Sequence, residues 1–220
     1  MSMKNVLVPL DGSALAEQAL PYAQLLARVL RARIHLLRAI SRAEGAAVLA
    51  TTGEAAQPLA ICDQCSLTHL CAHTDCYIAD QALRLRAVDL EADADMRVGT
   101  PAATIVELTQ DAPDTLVVMA AHDERGLQRW VRGSLTDTLI HDTTAPLLLV
   151  PARNGPAPST PELTRIIVPL DGSELARQAL PLAIELAAYA QAELLAQDIQ
   201  QRPIGRGSKR MCSAIYLELD

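Results

Sequence analysis

The sequence predicts an α/β fold in which a parallel sheet carries helices on both faces, followed by a second copy that is not completed. Three observations carry this prediction. Short apolar runs alternate with helix-patterned segments along the first 150 or so residues, the signature of strand–helix–strand units. Hydrophobic residues make up 50% of the 220, while aromatics are 2% and Phe is absent. The core must therefore be built from Leu, Val, Ile and Ala, as the strands of a doubly covered sheet require. Finally, Asn5 to Ala23 (NVLVPLDGSALAEQALPYA) returns at Arg165 to Ala183 (RIIVPLDGSELARQALPLA), without a gap, and 13 of 19 positions are identical. Such a match points to duplication.

The elements follow in order. Val6 to Leu10 is a continuous apolar run, as for a strand buried on both faces. Ser13 can cap the next helix, in which Leu15, Ala19, Tyr22, Leu26 and Leu30 recur at helical spacing. Pro21 lies inside that pattern and predicts a kink. Ile34 to Leu37 reads as a second strand, residues 77 to 91 as a helix and Ala94 to Val98 as a weakly marked strand. Pro101 to Gln110 is a helix opened by proline. Thr115 to Ala120 is a strong strand, Ser134 to His141 a short helix, and Pro146 to Val150 the last strand of the copy.

The chain divides accordingly into a domain at 1–152, a linker at 153–163, a partial second copy at 164–200 and a divergent tail at 201–220. In the stretch PARNGPAPSTP between the copies, prolines at 151, 156, 158 and 161 argue against continuation of a helix or a central strand. The second copy offers a strand, a helix through about Tyr189 and a strand around Ala192 to Ala196. The tail has no counterpart in the first copy and reads as a truncated or frame-shifted end.

Charge and hydropathy narrow the function. The net charge of −7 argues against broad nucleic-acid binding, which needs a basic surface. No apolar run reaches the length of a membrane helix, about 18 residues. The start of the chain shows no charged leader, apolar stretch and cleavage site in series, so a cytoplasmic, reducing location is expected. No Walker loop, Rossmann glycine pattern or nucleophile–base pair is evident, and no enzyme activity is expected.

Four segments in order, VPLDGS, RVGTPAATIVE, TLVVMAAHDERGLQRWVRGS and APLLLVP, together resemble the universal stress protein family. The resemblance covers residues 3 to 152, except about 42 to 80, and then 164 to about 196. It implies a five-stranded parallel sheet of order 3-2-1-4-5. It also implies self-association through the last strand or between tandem copies, here a homo-oligomer formed with the partial second copy. In many members ATP or a related nucleotide binds at the carboxyl ends of the strands. Carried onto this sequence, such a site comprises Pro9, Asp11, Ala39 and Met119 on the strand ends. Ala120, Asp123, Gly133 and Ser134 would form the phosphate side.

The residues admit two roles at each end. In open α/β sheets ligands bind where the strand order reverses, which places Asp11 to accept bonds from a ribose hydroxyl or a base amine. Asp11 can equally begin a tight turn. Gly133 and Ser134 open a helix whose free amides attract phosphate, and they also suit an ordinary helix start. ATP-binding members carry glycine at the positions of Ala120, Asp123 and Gly133. Two of the three are replaced here, so ATP or AMP is expected to bind weakly. Asp171, without a phosphate loop in its copy, is expected to be a turn residue only.

Cys62, Cys65, His69, Cys71, His73 and Cys76 fall within 15 residues. Cys62 and Cys65 have the spacing of a zinc half-site, which His73 and Cys76 could complete. The same stretch reads equally as a loop of reduced thiols. A zinc- or redox-responsive binding module is thus the alternative to a nucleotide-responsive stress protein.

Overall fold

The computed structural model describes residues 3–40, 76–122, 134–152, 161–198 and 215–219. It resolves into two units, 3–159 and 160–220.

In the first unit the strands are β1 (Asn5–Pro9), β2 (Arg33–Ile40), β3 (Ala92–Val98), β4 (Thr115–His122) and β5 (Leu147–Ala152). The helices are α1 (Leu20–Leu30), α2 (Cys76–Arg86), α3 (Pro101–Asp111) and α4 (Ser134–Asp142). The sheet is parallel throughout, in the order β3-β2-β1-β4-β5. β2, β3 and β4 are two to four residues longer than their expected runs, whereas β1 has its expected length shifted by one residue and β5 is one residue longer.

Alternation along the strands separates two cores. Val6, Val8, Ile34 and Leu36 are buried on one face, the face that right-handed crossovers assign to α1 and α2. Leu7, Leu37, Val117 and Met119 are buried on the other with Ile105 of α3 and Leu139 of α4. The strand order therefore reverses beside β1, as the resemblance implies.

β3 is an edge strand, and its sequence ADADMRV explains why its apolar signal is weak. Ala92, Ala94 and Met96 are buried, while Asp93, Asp95 and Arg97 face the other way. Asp93 pairs with His35 of β2, and Arg97 Nε donates to Asp95 Oδ2 at 2.8 Å.

The single helix expected from Leu15 to Leu30 is divided just before Pro21. Ala16–Ala19 form a separate 3-10 turn, and α1 begins only at Leu20. Pro21 thus occupies the second position of a helix, where an amide would have had no intrahelical acceptor to lose.

The second unit contains β6 (Leu163–Leu170), α5 (Glu174–Arg177), α6 (Leu180–Ala190), β7 (Glu193–Asp198) and β8 (Tyr216–Leu219). Its sheet has the order β7-β6-β8. β7 is parallel to β6, as β2 is to β1, but β8 is antiparallel. The tail thus supplies a strand that the sequence analysis does not assign. Ile215, Leu217 and Leu219 alternate with polar or aromatic residues, a period-2 signal too short to stand out. Ile166, Val168, Ala183 and Leu186 form the buried side of this unit.

Candidate functional site

The site is built around the end of β1. After Pro9 the Leu10 amide still donates to Leu37 O, at 2.8 Å, so the chain leaves the sheet one residue later. Gly12 then adopts φ +88°, a conformation that residues with a Cβ rarely adopt. The Ser13 amide donates to Asp11 Oδ1 at 2.8 Å, and the Ala16 amide donates to Ser13 Oγ at 3.1 Å. One carboxylate and one hydroxyl thereby satisfy the amides that open the 3-10 turn. Asp11 remains exposed. Partial burial raises its pKa, but hydrogen bonds from Ser13 and the positive charge of Arg38 outweigh that, and the carboxyl is held below its usual range.

The second unit repeats this device. The Ser173 amide donates to Asp171 Oδ1 at 2.9 Å, the Ala176 amide donates to Ser173 Oγ at 3.1 Å, and Gly172 has φ +81°. The turn role is therefore common to both aspartates.

The registers show what else reaches the same edge. Pro9 pairs with Leu37, which puts Ala39 two residues further, level with Asp11. Leu7 pairs with Val117, which puts Met119 level with Pro9 and Ala120 one beyond. The Met119 side chain is part of the core against α3 and α4, so only its backbone is available to a ligand. Ala120 lies on the opposite face, half-buried, and pairs with Val150.

Three residues that the sequence did not single out join Asp11. Arg38 precedes Ala39 on β2, Glu17 lies in the 3-10 turn and Tyr77 is the second residue of α2. The Tyr77 hydroxyl is enclosed beside the Glu17 carboxylate, close to it but without good hydrogen-bond alignment. Its pKa is pushed well above the ordinary phenol value, first by burial, then by the adjacent Glu17 carboxylate and by Asp11, with Arg38 opposing. The phenol is therefore a proton donor at any physiological pH. The only trace of this in the sequence is a tyrosine at a helix start in a chain poor in aromatics.

The universal stress protein family model matches residues 3–151. The chain belongs to the universal stress protein family. Among curated proteins none matches it. Similar solved structures include a universal stress protein from Archaeoglobus fulgidus DSM 4304, 16% identical, with a TM-score of 0.66 over 92% of this chain and 69% of that one. Another is a putative universal stress protein from Pseudomonas aeruginosa UCBPP-PA14, 18% identical, with a TM-score of 0.58 over 89% of this chain and 61% of that one. A universal stress protein in complex with cAMP is 18% identical, with a TM-score of 0.46 over 70% of this chain and all of that one.

In this universal stress protein Asp123 and Gly133 lie outside the described residues. Ser134 is the first residue of α4. Of the zinc candidates, Cys62, Cys65 and His73 also lie outside, and Cys76 is the first residue of α2. Among the described residues no group of three or more His, Cys, Asp and Glu could hold a metal ion. No described helix is long and apolar enough to cross a membrane.

Proposed function

We propose that this chain is a cytoplasmic regulatory universal stress protein that takes an adenine nucleoside or mononucleotide at the carboxyl ends of β1 and β4, without catalysis. The observation that carries this reading is Asp11. It is an exposed carboxylate, held ionised by its own turn, at the point where the strand order reverses. The groups gathered there, two carboxylates, a phenol and a guanidinium, bind and orient hydroxyl and amine groups. They favour the sugar and base of a nucleotide over its phosphates.

The sequence bears on the phosphate end. Asp123 stands where ATP-binding members have glycine. A carboxylate about 5 Å from a phosphate charge is repelled by about 3 kcal/mol at an effective dielectric near 20. That is about a hundredfold in affinity per facing charge. Magnesium bridging carboxylate and phosphate would relieve it.

Calorimetry with adenosine, AMP and ATP tests the reading. Adenosine and AMP should bind more tightly than magnesium-free ATP, and Asp123→Gly should narrow the gap. Tight magnesium-free ATP binding, unchanged by that substitution, would contradict the preference. Absence of binding by all three would remove the nucleotide reading altogether. Native mass spectrometry of chain purified without chelator reports any retained nucleotide or zinc directly.

A further inference from the structure

We propose that the second unit is a dimerisation module. Its edge strand β7 pairs antiparallel with β7 of a second molecule, joining two three-stranded sheets into one of six strands, and the two α6 helices pack side by side across the twofold axis.

The first unit shows what surrounds the same elements in a completed copy. There β2 pairs on its outer side with β3, and α2 lies over both strands. Arg28 of α1 reaches across to the turn after α2, where its Nη2 donates to Val88 O at 3.2 Å. Ile34 and Leu36 of β2 are fully buried. The second unit has α6 over β6 and β7, but no counterpart of β3 or α2 among its described residues. Leu194 and Ala196, which correspond to Ile34 and Leu36, are half-buried and exposed. The residues of α6 differ accordingly. Its inward side keeps Ala183, Leu186 and Ala187, identical to Ala23, Leu26 and Ala27 of α1. On its outer flank Ile184 and Ala188 stand where α1 has Gln24 and Arg28, and Ile184 is 54% exposed. An apolar wall on α6 and an apolar floor on β7 thus face the place that α2 and β3 fill in the first unit. Parallel strands are normally covered on both faces, and an uncharged open edge is a template for another strand.

The occupant is a second molecule because this edge complements itself. In the first unit Arg33 N donates to Lys4 O and Leu10 N donates to Leu37 O, both between β2 and β1, whereas Ile34 N donates to Glu91 O on the β3 side. β7 has the register on β6 that β2 has on β1, so the amides of Leu194 and Ala196 point out of the free edge. Antiparallel pairing centred on Leu195 makes Leu194 and the partner's Ala196 a hydrogen-bonded pair, and its twofold mate repeats the bond. There a large side chain meets a small one. On the other face Leu195 meets the partner's Leu195, and Glu193 lies opposite the partner's Gln197. No like charges stand directly opposite one another, although each chain carries a net charge of −7. The two α6 helices then lie two strand spacings apart, about 10 Å, a distance at which helices pack. Antiparallel across the axis, each Ile184 packs into the stripe formed by the partner's Ile184 and Ala188. One strand and one helix from each molecule bury less than the roughly 1,200 Å² of stable complexes, so the dimer forms in a concentration-dependent way.

Sedimentation velocity of the full chain over a concentration series tests the proposal. The natural sequence should pass from monomer to dimer as concentration rises, and the amides of Leu194 and Ala196 should gain protection from hydrogen exchange over the same range. Ala196→Pro removes an outward amide that β6 does not use, and should weaken the dimer at least about tenfold through the two lost cross-strand bonds. Ile184→Gln combined with Ala188→Arg installs the residues that α1 carries at these positions, and should weaken the dimer in the same direction. This second variant holds side chains that the equivalent helix of the first unit already accommodates, so it decides the case alone if Ala196→Pro does not fold. A natural chain that stays monomeric throughout the series overturns the proposal. So does a dimer undiminished in the folded variants, and so does protection that rises with concentration in the first unit but not on β7.

Discussion

Asp93 shows how a single charged residue on an open sheet edge contributes to stability. It sits on β3 in register with His35 of β2, and the two side chains are paired. Burial raises the pKa of Asp93, but the His35 hydrogen bond and the charges of His35, Arg33 and Arg86 overcome it, so the carboxyl is held below its usual range. The folded chain therefore gives up this proton more readily than the unfolded one. The stabilisation is complete above the unfolded value of about 4 and is lost as pH falls through the lower folded value. With 36% of the Asp93 side chain exposed, solvent screening limits the effect to about 1 kcal/mol. Urea unfolding of Asp93→Asn should show about that loss at pH 7 and a shallower decline than the natural chain below about pH 4. An equal decline in both chains would assign the acid sensitivity elsewhere. At this scale the sequence was only partly informative. Asp11 could be found because DGS after a strand specifies both a turn and a ligand position. Tyr77, Glu17 and Arg38 could not, because they come together through three different elements, one of which follows a long connection. Nothing in their local spacing marks them as neighbours.

At the scale of elements, helix boundaries depended on details finer than periodicity. The apolar positions from Leu15 to Leu30 gave one helix with a kink, whereas a 3-10 turn precedes α1 and leaves Pro21 in a position that suits it. A similar division recurs before Pro181 in α6, where the short preceding element is α-helical, α5. Both helices also end alike. Arg31 and Gln191 adopt left-handed conformations, with φ 53° and 55°, while Ala32 and Ala192 donate to Ala27 O and Ala187 O at 2.9 and 3.1 Å. This is the geometry in which glycine is usually favoured. Opposite outcomes follow for two exchanges. Gly12→Ala forces a Cβ into φ +88° with no neighbouring atom within 4 Å, so its cost is purely conformational and should be about 1 kcal/mol. Arg31→Gly relieves the same kind of strain but increases unfolded-state entropy, and should stabilise by up to about 1 kcal/mol. Chemical denaturation of the two variants reads both signs. A destabilised Arg31→Gly would mean that contacts of the arginine side chain outweigh its backbone strain. Ser13→Ala, which removes the acceptor of the Ala16 amide, should cost about 1 kcal/mol by the same measurement.

At the scale of the whole molecule, the alternation of strands and helices gave a parallel sheet, because each crossover leaves a periodic trace, and the resemblance to the family implied its strand order. The contribution of the tail left no such trace, since β8 is four residues long and pairs in the opposite direction. Its place beside β6 is the one that β4 takes beside β1. The second unit nevertheless has one face unlike the first. Register sets Ile167 beside Leu195 and Tyr216, a row that corresponds to Leu7 and its neighbours on the side covered by α3 and α4 in the first unit. Here Leu195 is 40% and Tyr216 49% exposed. A unit this small with an open apolar face is marginal alone. Two measurable consequences follow. In dilute chain, amides of β6 and β7 should exchange through openings of lower free energy than those of β1 and β4. As concentration rises, the chain should self-associate, which would protect β6 and β7 more than the first unit. Light scattering and hydrogen exchange across one concentration series test both, and Leu195→Lys should weaken association while sparing the fold of the first unit. Uniform protection in a chain that stays monomeric throughout the series, with no effect of Leu195→Lys, would show that the second unit is stable without a partner.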